Sequence, residues 1–111
     1  MFVLLYEWRV KPGRESEFVE AWSNLTRLIY KRRGSLGSRL HRTEDGRFIA
    51  YAQWPGRDAW NISLNEPTTP EEENYRRVMQ ESAVRKKPDI LMTLVEDELV
   101  TEPYHPSAPA R

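Results

Sequence analysis

Chemistry in this chain has few residues to rest on. Cysteine is absent, and histidine occurs only as His41 and His105. That removes disulfides, thiolate zinc sites and cysteine nucleophiles together, and it makes a histidine-rich metal site within one chain a poor expectation. No serine has the context of a nucleophile elbow. His41 remains, in an alternating stretch from Ser38 to Thr43. An imidazole with an unperturbed pKa of about 6.5 suits a general base at neutral pH. Arg39, two residues away, shares its strand face and is suited to hold a developing anion.

A second alternating stretch, Phe48 to Trp54, follows Asp45-Gly46, a strong signal for a two-residue hairpin loop. In that register Glu44 pairs with Arg47, His41 faces Ala50, Arg39 faces Ala52 and Leu40 faces Tyr51. One sheet face then gathers Arg39, His41, Phe48, Ala50, Ala52 and Trp54, and Trp60 and Asn61 follow on a short helix. The small alanines leave room for a ligand, and aromatic walls around a polar pair suit a flat ring. The candidate catalytic residues are His41, Arg39 and Asn61, and the candidate substrate-binding residues are Trp54, Trp60, Phe48 and Tyr75. A plainer reading stands beside this one, with His41 a half-exposed strand histidine and the tryptophans simply core.

The elements that must position these residues read as follows. Phe2 to Val10 alternates with both faces apolar at the start, which predicts a central strand. Lys11-Pro12-Gly13 is a turn. From Glu15 to Arg33 the period is helical, with Phe18, Ala21, Trp22, Leu25, Leu28 and Ile29 on one stripe. Lys31, Arg32 and Arg33 complement the dipole at that helix's end, and Gly34 is suited to cap it. A short helix is expected over 57–64. A longer one is expected from Thr69 as N-cap and Pro70 in the first turn, with Glu72 returning the bond of a capping box. It runs to about Val84, with Tyr75, Val78, Met79 and Ser82 inward. Pro88-Asp89 breaks it, and Ile90 to Val100 reads as a last strand. The order β-α-β-β-α-β is the split βαβ, ferredoxin-like pattern, an α+β fold with an antiparallel sheet. Helices cover one face of such a sheet, and a second copy is expected to cover the other.

Composition bounds the rest. The 111 residues are one domain's worth, expected over 1–100, with a proline-rich tail over 101–111. Lys+Arg and Asp+Glu are 17 each, which argues against bulk binding of nucleic acid or anionic membrane. Residues 1–55 carry 10 basic and 6 acidic side chains, and residues 56–111 carry 7 and 11, so the halves can attract within or between copies. No apolar run approaches the roughly 20 residues of a membrane span. The cysteine-free composition fits a reducing cytoplasm. Glu71-Glu72-Glu73 sits at a helix N-terminus, where acidic residues favour the dipole. Arg85-Lys86-Lys87 is suited to meet Glu96-Asp97-Glu98 across a dimer or to lie in a solvated loop.

Three stretches carry a resemblance: Tyr6-Glu7-Trp8-Arg9-Val10-Lys11-Pro12-Gly13 with Glu15 and Phe18; Gly34-Ser35-Leu36-Gly37-Ser38-Arg39-Leu40-His41-Arg42; and Ala50-Tyr51-Ala52-Gln53-Trp54-Pro55 with Arg57 and Trp60. Together they resemble the antibiotic biosynthesis monooxygenase superfamily of dimeric α/β barrels, over about residues 2–100. The resemblance implies a homodimer and a monooxygenase that oxidises a small phenol, anthrone or hydroquinone with dioxygen and no bound cofactor. The alternative it also implies is a non-catalytic dimeric barrel that binds a small hydrophobic ligand in stress response or signalling. Haem-degrading relatives use an asparagine on the first strand and a histidine on the later helix. Here Glu7 stands on the first strand and no histidine falls between Pro70 and Val84, so no haem is expected. In the family's polyketide oxygenases an asparagine, a tryptophan and an arginine surround the cavity. The adjacency of Trp60 and Asn61 departs from that spacing.

Overall fold

The structure is a computed structural model, and it describes residues 1–106. Its elements in chain order are β1 (Phe2–Val10), α1 (Glu15–Arg33), β2 (Ser38–Arg42), β3 (Phe48–Trp54), α2 (Arg57–Ser63), α3 (Pro70–Ser82) and β4 (Ala83–Thr93). The strands form one antiparallel sheet in the order β2-β3-β1-β4. This is the expected ferredoxin-like α+β arrangement, with β1 central.

Alternation along the strands decides what is buried. Phe2, Leu4 and Trp8 of β1 and Phe48, Ala50 and Trp54 of β3 point to one face and are buried there. They meet Phe18, Ala21 and Leu25 from the stripe on α1 and Met79 from α3. Phe18 is fully buried and is the centre of an aromatic chain. Its ring packs edge-on against Trp8 at 5.3 Å and against Phe48 at 5.7 Å, a geometry that aromatic quadrupoles favour. Gly34 ends α1 at φ 78°, the left-handed conformation for which glycine carries no Cβ penalty.

The expected start of α3 holds: Thr69 caps it, its hydroxyl accepting from the Glu72 backbone N–H at 3.2 Å, with Pro70 in the first turn. The expected capping-box return bond does not form. The Glu72 carboxylate is fully buried and is taken by Arg32 and by Arg33, the latter at 3.0 Å. Arg33 also donates to the carbonyls of Ser63 at 2.5 Å, Glu66 at 3.2 Å and Pro67 at 3.3 Å. The basic end of α1 is therefore a clamp on the α2–α3 connection as well as a complement to the helix dipole.

Two further expectations are corrected. The hairpin loop has three residues, Glu44-Asp45-Gly46, and not two. Thr43 N–H donates to the Arg47 carbonyl at 2.8 Å, Gly46 N–H donates to Thr43 at 3.0 Å, and Gly46 takes φ 85°. That is a type I turn closed by a left-handed glycine. The Thr43 hydroxyl favours it, accepting from Arg47 N–H at 2.9 Å and donating to the Asp45 carboxylate. The last strand runs over Ala83–Thr93 and not from Ile90 to Val100. Its pairing ends at Thr93 opposite Phe2, with Leu94 N–H bonding the Met1 carbonyl at 2.9 Å. Pro88 is tolerated because β4 is an edge strand and its ladder is irregular between Leu5 and Glu7. Residues 101–106 of the tail form no regular element, and Pro109 lies outside the described residues.

Candidate functional site

A cavity of about 660 Å³ opens between the helix-facing side of the sheet and the three helices. That volume lies in the range of small-molecule sites, about 300–1,000 Å³. Tyr6 and Trp8 from β1 and Ala52 and Trp54 from β3 line its floor, and Trp22 and Ile29 from α1 and Trp60 from α2 line its walls. Trp60 is braced against Phe2 at 5.4 Å, with the Arg57 guanidinium 5.7 Å over its ring. Five of the lining side chains are therefore aromatic, and Ala52 supplies the space between them.

The polar end of the cavity is built by β4. Arg85 faces it from the register position opposite Trp8 and lies 4.8 Å over the Tyr6 ring. Asp89, four residues on, pairs with Arg85 at 2.5 Å and lies 3.6 Å from Lys87. Arg76 of α3 and Lys87 add cations to the lining. Burial pushes the Tyr6 hydroxyl above its ordinary 10.0, against the pull of Arg85, so Tyr6 is a neutral phenol at physiological pH. Arg33 also reaches the wall, but its donors are taken by Glu72 and three carbonyls. It holds the frame and has little left for a ligand.

The residues singled out from sequence divide sharply. Trp54 and Trp60 line the cavity. Phe48 is buried among Phe18 and Trp8, and Tyr75 packs against the same core, both outside the lining. Asn61 is exposed on α2, away from the lining. His41 and Arg39 do not meet Ala50, Ala52 and Trp54 as the two-residue loop required. The wider loop shifts the register by one, so His41 pairs with Ile49 and Arg39 with Tyr51. A one-residue shift turns a strand over, and both side chains are exposed on the β2 edge. They border only a wide, open groove along α1. Sequence reasoning missed Tyr6, Trp22, Arg85 and Asp89. The alternation in β1 already put Tyr6 beside Trp8, but Arg85 and Asp89 were hidden behind the expectation of a solvated loop or dimer contact at Arg85-Lys86-Lys87 and a break at Pro88-Asp89.

One antiparallel sheet with its helices on one face and an aromatic cavity beneath them is the two-layer, ferredoxin-like α+β class. The family model described as antibiotic biosynthesis monooxygenase matches residues 1–69, and the chain belongs to that family. No match was found among curated proteins. The fold is shared with SnoaB, a cofactor-independent oxygenase from Streptomyces nogalater, at a TM-score of 0.70 and 16% identity, over 87% of this chain and 95% of that one. It is also similar to Rv0793 from Mycobacterium tuberculosis, at a TM-score of 0.66 and 14% identity, over 88% and 98% of the two chains. A conserved protein from Methanosarcina mazei matches at a TM-score of 0.64 and 11% identity, over 82% and 89%. Among the described residues no helix is long and apolar enough to cross a membrane.

Proposed function

We propose that the chain is a monooxygenase that oxidises a small electron-rich aromatic compound, of phenol, anthrone or hydroquinone type, with dioxygen and without a bound cofactor. The observation that carries this reading is the cavity of about 660 Å³, lined by five aromatic side chains and cationic at one end, in a chain of the monooxygenase family. Stacked aromatic walls hold a flat ring, and the cations Arg76, Arg85 and Lys87 favour its anion. Loss of a proton leaves an electron-rich anion. One electron passes to dioxygen, and the resulting radical pair combines to form a carbon–oxygen bond. The peroxide takes up a proton, its O–O bond breaks as the second hydrogen leaves the ring carbon, and one oxygen stays as a carbonyl while the other departs as water. The protein's share is to bind the ring, receive the first proton and hold the anion.

The working unit in this reading is a homodimer. Leu5, Ile49, Tyr51, Ile90 and Met92 occupy the sheet face turned away from the helices, and a second sheet is the cover that matches a flat, partly apolar surface.

Oxygen uptake with a panel of anthrones and hydroquinones, in the presence of a chelator and corrected for spontaneous oxidation, tests the activity. Protein-dependent uptake that saturates with substrate is expected. In Ala52→Phe, which fills the cavity from its floor, saturable uptake should vanish while the circular dichroism spectrum stays unchanged. Ligand binding without uptake across the panel would favour a non-catalytic binding barrel instead.

A further inference from the structure

Asp89 carries a largely buried carboxylate that is only half satisfied. Its Oδ2 takes Arg85 Nη2 at 2.5 Å and lies 3.6 Å from Lys87 Nζ, and its side chain keeps 15% of its surface. Its Oδ1 is buried with no hydrogen-bond partner, the sole such side-chain atom among the described residues. Buried polar atoms are almost always hydrogen-bonded, and one without a donor is costly. Asp89 lines the cavity, so the unpaired oxygen belongs to the same space as the aromatic walls. Two other polar groups of the lining are already engaged. Arg33 is held by Glu72 and three carbonyls, and the Ser63 hydroxyl donates to Trp60 at 2.6 Å.

We infer that Asp89 Oδ1 receives the hydroxyl of a phenolic or enolic substrate and takes its proton, with Arg85 as the residue that positions the carboxylate. The proton-transfer half of this rests on the oxygenase reading, whereas the recognition of a hydroxyl does not. In the step, the substrate O–H bond breaks and its proton passes to Oδ1. The electron pair stays on the substrate oxygen and delocalises into the ring, from which dioxygen withdraws an electron. A carboxylate is a weak base toward a phenol, and the anion it leaves needs stabilisation. Arg76, Arg85 and Lys87 line the same cavity and supply positive charge there.

The matched pair 1-naphthol and 1-methoxynaphthalene tests the contact, because methylation removes the donated hydrogen and keeps the ring. Titration calorimetry on the full chain should show naphthol binding about tenfold more tightly or better, the scale of a hydrogen bond to a charged acceptor. Asp89→Leu should abolish that preference. Asp89→Asn, the closer isostere, keeps the fold if the leucine variant does not. It should cut kcat for oxygen uptake by about a hundredfold or more, with a smaller change in KM. Equal binding of the two probes by the wild-type chain would overturn the inference, and so would an Asp89→Asn variant that turns over at the wild-type rate. A clear preference for the hydroxyl with no oxygen uptake from any substrate would support the contact and sink only the oxygenase reading.

Discussion

Glu72 shows how much one buried side chain can hold. It is fully buried and shared by Arg32 and Arg33, and the Arg33 side chain is only 8% exposed. Replacing a buried ion pair with apolar residues is often neutral, but removing one partner strands the other charge. Glu72→Gln leaves the Arg33 guanidinium without its counter-ion under the α2–α3 connection. Urea unfolding should show a loss of about 3 kcal/mol or more, and Arg32→Gln a smaller loss because Arg32 is part-exposed. Tyr6 makes a different point at the same scale. Its folded pKa is raised above the ordinary 10.0, first by burial. The neutral form is therefore favoured in the folded state, and between the two pKa values the unfolded chain binds fewer protons. The stability this group supplies is fully present below the unfolded pKa and is lost as pH rises through the folded one. Melting temperature should fall with pH in the alkaline range above 10, and Tyr6→Phe should flatten part of that fall.

Among the elements, the β2–β3 hairpin decides which residues can reach the cavity. A dipeptide that favours a two-residue loop is overruled by the neighbouring threonine, whose hydroxyl bonds to both Arg47 and Asp45. The extra residue moves the ladder by one, and the exposed face receives His41 and Arg39. Gly46 holds the loop at φ 85°, and a Cβ added there would meet no atom within 4 Å. The cost of Gly46→Ala is then conformational alone, expected at about 1–2 kcal/mol in a denaturant titration. β4 makes the complementary point. Its irregularity opposite Tyr6 allows Pro88 to sit in an edge strand and brings Asp89 back to Arg85. In a regular strand residues four apart share a face but stand about 13 Å apart, and the irregularity shortens that separation to an ion pair.

The whole molecule has one covered face and one that is not. Its Cα radius of gyration is 16.3 Å, above the roughly 13 Å of a compact chain near this length. Segments that stand off include Val95, Leu99 and Tyr104, which are 92%, 76% and 87% exposed. Ile90 on the helix-free sheet face is 54% exposed although it lies in a strand. If a second copy covers that face, light scattering of the wild type should report twice the 13.1 kDa chain mass, and Ile90→Glu should reduce it to the monomer with the fold intact. A wild type that runs as a monomer at micromolar concentration would remove the dimer from the proposal.

Periodicity alone was enough to read most of the fold. A helical stripe from Phe18 to Ile29, a left-handed stop at Gly34, a threonine cap at Thr69 and apolar alternation in Phe2–Val10 are local features, set by residues within a turn or two of one another. The aromatic half of the site was partly legible for the same reason, since Trp54 ends a strand read from its alternation and Trp60 lies on the short helix that follows it. The polar half was decided only in three dimensions. Whether His41 or Asp89 meets the cavity depends on a one-residue register, an edge-strand irregularity and the pairing partner available to each strand. Those are long-range choices, settled by which side chains bury together and which backbone groups remain to be paired.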